Sequence, residues 1–250
     1  MNKKSALILL LVIFTSCSKK SKSELEKSNL KGDITQLTIN KYKAETKFGE
    51  IVKGKIQQHF LSKFNSFGNT EFSDITYYYG DADSAEVYNH KSSFQYDEQG
   101  HNIKTTSVSN PKKYSLKKFN GNLLIEKDDI DGKKIESKTK YVYNSDGFIS
   151  EVNRYDSNGK FTGKEKHITN SKGLDTEIQI YKSTGELEYK FVVSYDDNDN
   201  VLTEKQTVGE YPFSSSYKYS NLDNKGNWLK AISYRDGKPL EYIERIIKFR

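Results

Sequence analysis

The strongest constraint on this chain is a punctuation mark that recurs along it. Tyr143-Asn-Ser-Asp-Gly147 returns as Tyr155-Asp-Ser-Asn-Gly159, as Thr169-Asn-Ser-Lys-Gly173 and as Tyr181-Lys-Ser-Thr-Gly185. A fifth copy, Tyr195-Asp-Asp-Asn-Asp199, keeps the pattern but lacks the glycine. The lead positions are separated by 12, 14, 12 and 14 residues, so the unit is 26 residues long and holds two marks. Glycine adopts positive φ without a Cβ penalty, and Asn and Asp bond to their own backbone, which suits hairpin connections of four to five residues. Each interval leaves about eight residues for a strand, close to the usual strand length.

The segments between marks alternate with the strand period. Leu187, Tyr189, Phe191, Val193 and Tyr195 share one parity, with Glu188, Lys190 and Ser194 on the other, and residues 174–181 behave similarly. That pattern marks antiparallel strands with one covered and one wet face. The expected fold is therefore all-β: an antiparallel β-meander of 26-residue double-hairpin repeats, forming a curved open sheet or a partly closed barrel. Helical character is expected only at the ends, around Glu24–Leu30 and Leu240–Phe249. Looser marks extend the repeat in both directions, among them Phe64-Asn-Ser-Phe-Gly68, Tyr96-Asp-Glu-Gln-Gly100 and Tyr234-Arg-Asp-Gly237.

These Tyr-Asp-x-x-Gly units resemble the YD (Rhs-type) repeats of bacterial secreted proteins. Leu30-Lys-Gly-Asp, Tyr42-Lys-Ala-Glu-Thr-Lys-Phe-Gly-Glu50 and Lys225-Gly-Asn-Trp-Leu-Lys-Ala-Ile232 are similar to segments of small Bacteroidetes-type lipoproteins built from such units. The resemblance spans residues 30–250. It implies an antiparallel meander in an extracytoplasmic setting and brings no catalytic residue with it.

Export is also written at the amino end. Lys3 and Lys4 precede an apolar run from Ala6 to Phe14. Nine residues of helix reach only about 14 Å, half the hydrocarbon thickness of a bilayer, so the run reads as a signal peptide over 1–16. Phe14-Thr15-Ser16-Cys17 resembles a lipobox, with Phe in place of the preferred Leu. Cys17 is the only cysteine, so an exported chain offers it no disulfide partner. Acylated Cys17 is therefore the expected lipidation site, since more than one acyl chain gives stable anchoring. Residues 17–29 read as the acylated cysteine and a flexible polar tether, and 30–250 as a single β-repeat domain. The expected address is the bacterial cell envelope, anchored at the outer membrane on its periplasmic or surface face.

Net charge is +6, but much of the excess lies in Lys3, Lys4 and the lysines of residues 18–31, leaving a body that is nearly balanced. No nucleic-acid partner is expected, because there is no stripe to neutralise phosphates. The four histidines, His59, His90, His101 and His167, form no metal-ligand pair, and no P-loop, Rossmann, Gly-x-Ser-x-Gly or cysteine nucleophile is present. No catalytic residue, metal or cofactor is therefore assigned. Asp196–Asn200 and Asp81-Ala-Asp83 carry alternating oxygen ligands but lack an EF-hand's glycine and distal glutamate.

The strand-end tyrosines are expected to cover the hairpin ends of a thin core with their hydroxyls in water. The sharper alternative makes Tyr155, Tyr181, Tyr195 and Trp228 ligand platforms, although Trp228, following the Gly226-Asn227 turn, reads first as packing. The functional expectation is a membrane-anchored binding or scaffold module, held to the lipid membrane by Cys17, with a glycan or an envelope protein as ligand. Edge strands at the ends of the array offer a pairing surface. An envelope polysaccharide hydrolase and a purely structural envelope component are the competing classes.

Overall fold

A computed structural model of the chain describes residues 23–79, 86–209 and 211–250. The signal segment, Cys17 and Asp81-Ala-Asp83 lie outside these residues. After one helical turn, α1 (Glu24–Lys27), every element is a strand. The first eight are β1 (Ile34–Lys47), β2 (Glu50–Phe64), β3 (Thr70–Tyr79), β4 (Glu86–Tyr96), β5 (Asn102–Ser107), β6 (Lys113–Asn120), β7 (Leu123–Asp131) and β8 (Lys134–Tyr143). The second eight are β9 (Ile149–Asp156), β10 (Phe161–Thr169), β11 (Asp175–Lys182), β12 (Leu187–Tyr195), β13 (Val201–Val208), β14 (Phe213–Leu222), β15 (Trp228–Arg235) and β16 (Lys238–Phe249). Each strand pairs antiparallel with its sequence neighbour, and β16 returns to pair with β1, so the meander closes into a sixteen-strand barrel.

Of the two expected forms, open sheet and barrel, the meander takes the barrel, and its full closure removes the edge strands expected at the ends of the array. β1 and β16 run in register from Gln36 opposite Lys248 to Lys43 opposite Glu241. Residues 240–249 are strand rather than helix for this reason. The local Ile243/Ile246/Ile247 spacing suits a helix face, but ladders on both sides of β16, to β15 and to β1, outweigh that weak local preference.

Each mark in the sequence is a turn at one end of the barrel or the other. In the turn after β8, Asn144 Oδ1 accepts from the backbone N–H of Asp146 at 3.0 Å and of Phe148 at 2.9 Å. Gly147 sits at φ 80° and donates its N–H to the Asn144 carbonyl. The same double acceptance is made by the side chains of Asn65, Asp97, Asp156, Asn170, Asp196 and Asp223. The working Asx is thus the residue directly after the lead aromatic. Asp199, standing where a glycine should, is held at φ 63°.

Following directly paired residues around the sheet separates its two faces. Leu37 shares a face with Ser62, Ser73, Ser92 and Ser107, and Thr105 with Ser115, Asp129 and Ser137. The chain continues through Thr139, Arg154 and Gly163, and later through Glu204, Ser215, Ser233 and Glu241, before Ile247 closes on Leu37. This face is the inner wall. α1 packs on it at Leu37 and Phe64 through Leu25 and Leu30, and Glu24 acts electrostatically on Lys117 of β6, well round the circumference from β1.

The segment before β1 therefore lies across one mouth of the barrel. Ser23 caps α1, with Glu26 reaching back to the Ser23 N–H at 2.7 Å in a capping box. The Leu25 N–H donates to Gly68 in the turn after β2, and the Asn29 side chain donates to Asn198 in the turn after β12. Lys31 N–H donates to Asn227 Oδ1 at 2.7 Å in the turn after β14, and the Asn227 amide returns a bond to the Lys31 carbonyl. The flexible tether expected through Asn29 is thus docked from Ser23 onward: Leu25 is buried, and the capping box and the bonds to three turns hold the stretch with it.

The packed core is small and sits under this plug. One cluster joins Leu25, Leu30, Ile34, Leu37 and Phe64, and a second joins Trp228, Ala231 and Ile243. Among the described residues, the closest approach between strands that are not paired is that of β2 and β16, which flank β1. We call the mouth formed by the turns after β1, β5, β7, β9, β11, β13 and β15 the open end.

Candidate ligand-binding site

The outer wall is charged. Glu126 on β7 meets Lys118 on β6 and Lys138 on β8, the latter at 2.9 Å, and Asp128 meets the same two ammonium groups at 3.8 and 3.3 Å. Lys91 pairs with Asp74 at 3.2 Å, Lys164 with Glu151 at 3.2 Å, and Lys190 with Glu177 at 2.8 Å, each across neighbouring strands. Surface pairs of this kind add little stability, but their desolvation in hydrocarbon would be costly. A membrane-spanning barrel needs an apolar outward band about 25 Å tall. This wall carries lysines at mid-strand instead, and among the described residues no helix is long and apolar enough to cross a membrane.

The four aromatic candidates from the sequence do not converge. Tyr155 and Tyr181 end strands at the open mouth and face outward. Tyr155 packs edge-on against Phe161 with the Lys140 ammonium 5.5 Å from its ring, and Tyr181 lies beneath Lys164 and Lys166. Tyr195 faces inward at the plugged end, where its hydroxyl donates to the Asp175 carbonyl at 2.8 Å. Trp228 is buried, with the Arg245 guanidinium 3.4 Å from its ring centroid and Tyr219 5.0 Å away, so its indole is covered. Successive marks alternate between mouths, and the bulge beside each turn returns the chain on the opposite face.

Tyr195 belongs to a set. Tyr96 donates to Thr70 at 2.6 Å, Tyr143 to Leu124 at 2.8 Å and Tyr219 to Val201 at 2.7 Å, each time to the carbonyl at the start of the adjacent strand. The hydroxyls expected in water are thus latches on the inner wall. Burial pushes Tyr96 up to about 12 and raises Tyr143, Tyr195 and Tyr219 in the same direction.

The histidines are held separately. His59 bonds Asn40, and His90 lies 3.1 Å from Ser92 Oγ. His101 stacks on Phe119 and is bonded by Asp97 and Asn122. His167 lies 3.1 Å from Asp175, and its other ring nitrogen is 3.5 Å from Glu165, at ion-pair rather than hydrogen-bond range. Arg154 meets Glu165 from the next strand at 2.5 Å. The carboxylates of Asp175 and then Glu165 raise His167 to about 9 against the opposing effect of burial, and His167 and Arg154 hold Glu165 near 2. In Asp196–Asn200 several oxygens are already used: Asp196 closes its own turn, Asn29 contacts the Asn198 carbonyl and the Asn200 side chain, and the Lys172 ammonium lies 2.6 Å from Asp199.

A cavity of about 410 Å³ opens in the inner wall, lined by residues of β4 to β8. Hydroxyls of Ser92, Thr105, Ser107 and Ser115 line it beside His90 and Asp129, together with the apolar Tyr114 and Ile130 and the charged Lys113, Asp131 and Glu136. The hydroxyls line up because the register sets serine opposite serine from β2 to β5, at Ser62, Ser73, Ser92 and Ser107. Asp129 accepts from Ser115 at 2.8 Å and Ser137 at 3.0 Å and pairs with Lys127 at 2.9 Å. Desolvation acts to raise its pKa, but Lys127 and the two hydroxyls prevail and hold it below the ordinary carboxylate range. Only the register around the barrel brings these residues together, which is why turn punctuation did not find them.

No family model and no curated protein matches the chain. Among solved structures, a porin-like protein from Bacteroides uniformis superposes with a TM-score of 0.56 at 9% identity, over 86% of this chain and 98% of that one. A porin-like protein from Bacteroides vulgatus gives 0.41 at 14% identity, over 88% and 99%. A Tc holotoxin pore from Photorhabdus luminescens gives 0.31 at 10% identity, over 76% of this chain and 12% of that one. The first of these shares the all-β barrel fold with this chain.

Proposed function

We propose that this chain is an extracytoplasmic binding module, held to the membrane by acylated Cys17, that stands in water and admits its ligand to the lumen through the open end. The observation that carries the reading is the contrast between the two walls. The outer wall carries lysine and carboxylate pairs suited to water between exposed aliphatic side chains such as Val142, Ile168 and Val192, while the inner wall holds a cavity of about 410 Å³ with hydroxyls and a carboxylate in its lining, within the range typical of ligand sites.

The plug supports the polarity of the arrangement. Five residues separate Cys17 from Ser23, so at most about 3.6 Å per residue holds the plugged mouth within roughly 20 Å of the acyl chains. The open mouth then faces away from the bilayer. Binding fits the inner carboxylates better than hydrolysis does. A general acid needs a raised pKa, whereas Asp129 and Glu165 are both held low.

Two experiments test this. Cys17→Ser is expected to abolish palmitate labelling and release the protein from membranes; unchanged labelling would refute the anchor. Tagged wild-type protein is then compared with Ser107→Trp, which fills the cavity, and with the outer-wall variant Lys140→Glu, by capture from intact envelopes and analysis of bound glycans and proteins. Loss of bound material in Ser107→Trp alone supports a luminal ligand. Loss in Lys140→Glu alone would move the binding surface outside and overturn the proposal.

A further inference from the structure

We infer that the inner wall from β3 to β7 is a saccharide site, with Tyr77, Tyr79 and Tyr88 as its aromatic platform and the hydroxyl-rich cavity as its polar pocket. This rests on the reading of the chain as a luminal binding module. It names a ligand class and a set of residues outside the tyrosines of the repeated turn marks.

The platform comes first. Tyr77 and Tyr79 are two apart on β3, and Tyr77 pairs directly with Tyr88 on β4, so all three point to the same side. That side is the inner wall, because the same two strands carry Ser73 opposite Ser92 in register with Leu37 and Ser62. Tyr77 and Tyr79 stack with centroids 6.1 Å apart, and Tyr77 and Tyr88 lie 6.4 Å apart. Tyr79 is 55% exposed and Tyr88 57% exposed, although both face into a closed barrel. Large aromatic rings on the inner wall that remain half in water are rings without a packing partner on one face. Pyranose C–H faces stack on such surfaces, with the phenol hydroxyl left at the wet rim.

The pocket continues from the platform along the same strands. Tyr88 is followed on its own face by His90 and Ser92, and both line the cavity with Thr105, Ser107, Ser115 and Asp129. Hydroxyl side chains each donate once and accept twice, so they match a ligand whose groups also do both, which is the chemistry of a polyol. Asp129 supplies an ionised acceptor, held in place by Ser115, Ser137 and Lys127. A charge-assisted acceptor of this kind strengthens bonds from sugar hydroxyls. An extended peptide is disfavoured on this wall. Peptide capture by strand addition needs a free edge, and the barrel has none once β1 and β16 pair.

The test is calorimetric titration of the full-chain acylated protein, in detergent micelles, with cellohexaose, chitohexaose, xylohexaose and maltohexaose. At least one of them is expected to bind saturably. Losing a stacking ring or a charged acceptor corresponds to about ten-fold in affinity, so Tyr88→Ala and Asp129→Asn are each expected to weaken binding about ten-fold, while the outer-wall variants Tyr155→Ala and Tyr181→Ala stay within about two-fold. Tyr88 is exposed enough that its truncation leaves the fold intact, and circular dichroism of each variant confirms the barrel. If none of the four sugars binds the folded protein, or if binding is lost in Tyr155→Ala and kept in Tyr88→Ala, the site is refuted. Should sugars fail while Ser107→Trp still abolishes envelope capture, the ligand class alone falls. Should both fail, the luminal reading falls with it.

Discussion

The inward tyrosines set the scale at which this barrel is fastened. Each donates its hydroxyl to a carbonyl on the adjacent strand, close beside a turn. Removing that donor leaves a partly buried carbonyl short of a partner, at a cost of about 1 kcal/mol. Tyr143→Phe and Tyr195→Phe are therefore expected to lower stability by about that amount each in chemical denaturation, and Tyr155→Phe, whose ring lies on the outer wall, to change it little. The converse holds at Asp199, a non-glycine residue at φ 63°. Asp199→Gly relieves that conformation but loses the contact with Lys172, and a net gain of up to about 1 kcal/mol is expected. The His167 cluster sets a pH window. His167, raised from 6.5 to about 9, contributes stability that is full below about pH 6.5 and lost as pH rises through 9. Glu165, lowered from 4.5 to about 2, contributes stability present above about pH 4.5 and lost as pH falls through 2. The two groups share only part of this, since His167 leans first on Asp175 and Glu165 also on Arg154, and the cluster is fully paired from about pH 5 to 6.5. Thermal melts of wild type and His167→Gln at pH 6 and pH 9.5 check it: the difference between the two proteins is expected to shrink at the higher pH.

At the scale of elements, the plug and the closing strand behave differently from the repeats. α1 has four residues and would not persist alone. It is held by its capping box, by bonds to three turns and by Leu25, so Leu25→Ala is expected to cost about 2–4 kcal/mol and to raise hydrogen exchange at residues 25–31 well above that of the strands. Exchange that stays slow there would contradict the plug. The strands and turns were legible in the sequence because their determinants are local: alternation along residues 187–195, and an Asx whose side chain caps the next four residues. What was not legible is what depends on partners far away in the chain. β16 contains Ile243, Ile246 and Ile247 at helical spacing and is drawn into a strand by the ladders to β15 and to β1, the latter some two hundred residues earlier. The serine band from Ser62 to Ser107 has no sequence period at all, since each serine comes from a different strand and the register alone aligns them. The run Tyr77-Tyr78-Tyr79 was the one visible trace of the luminal platform, and parity within the closed barrel was needed to see that its first and third members face inward.

For the whole molecule, the account depends on which wall meets which solvent. A chain with 30% charged residues can close sixteen strands only by placing those charges outside in water or inside a wet lumen, and the ion pairs on β3 to β12 put many of them outside. The direct measurement is spin-label accessibility on the full chain in the presence of lipid bilayers. Its single native cysteine is Cys17, which leaves Lys138→Cys, Lys166→Cys and Lys190→Cys free for labelling. The account predicts that all three outward labels collide freely with a water-soluble nickel chelate and little with membrane-dissolved oxygen. Strong oxygen collisions with exclusion of the chelate at these positions would place the outer wall in lipid and contradict it.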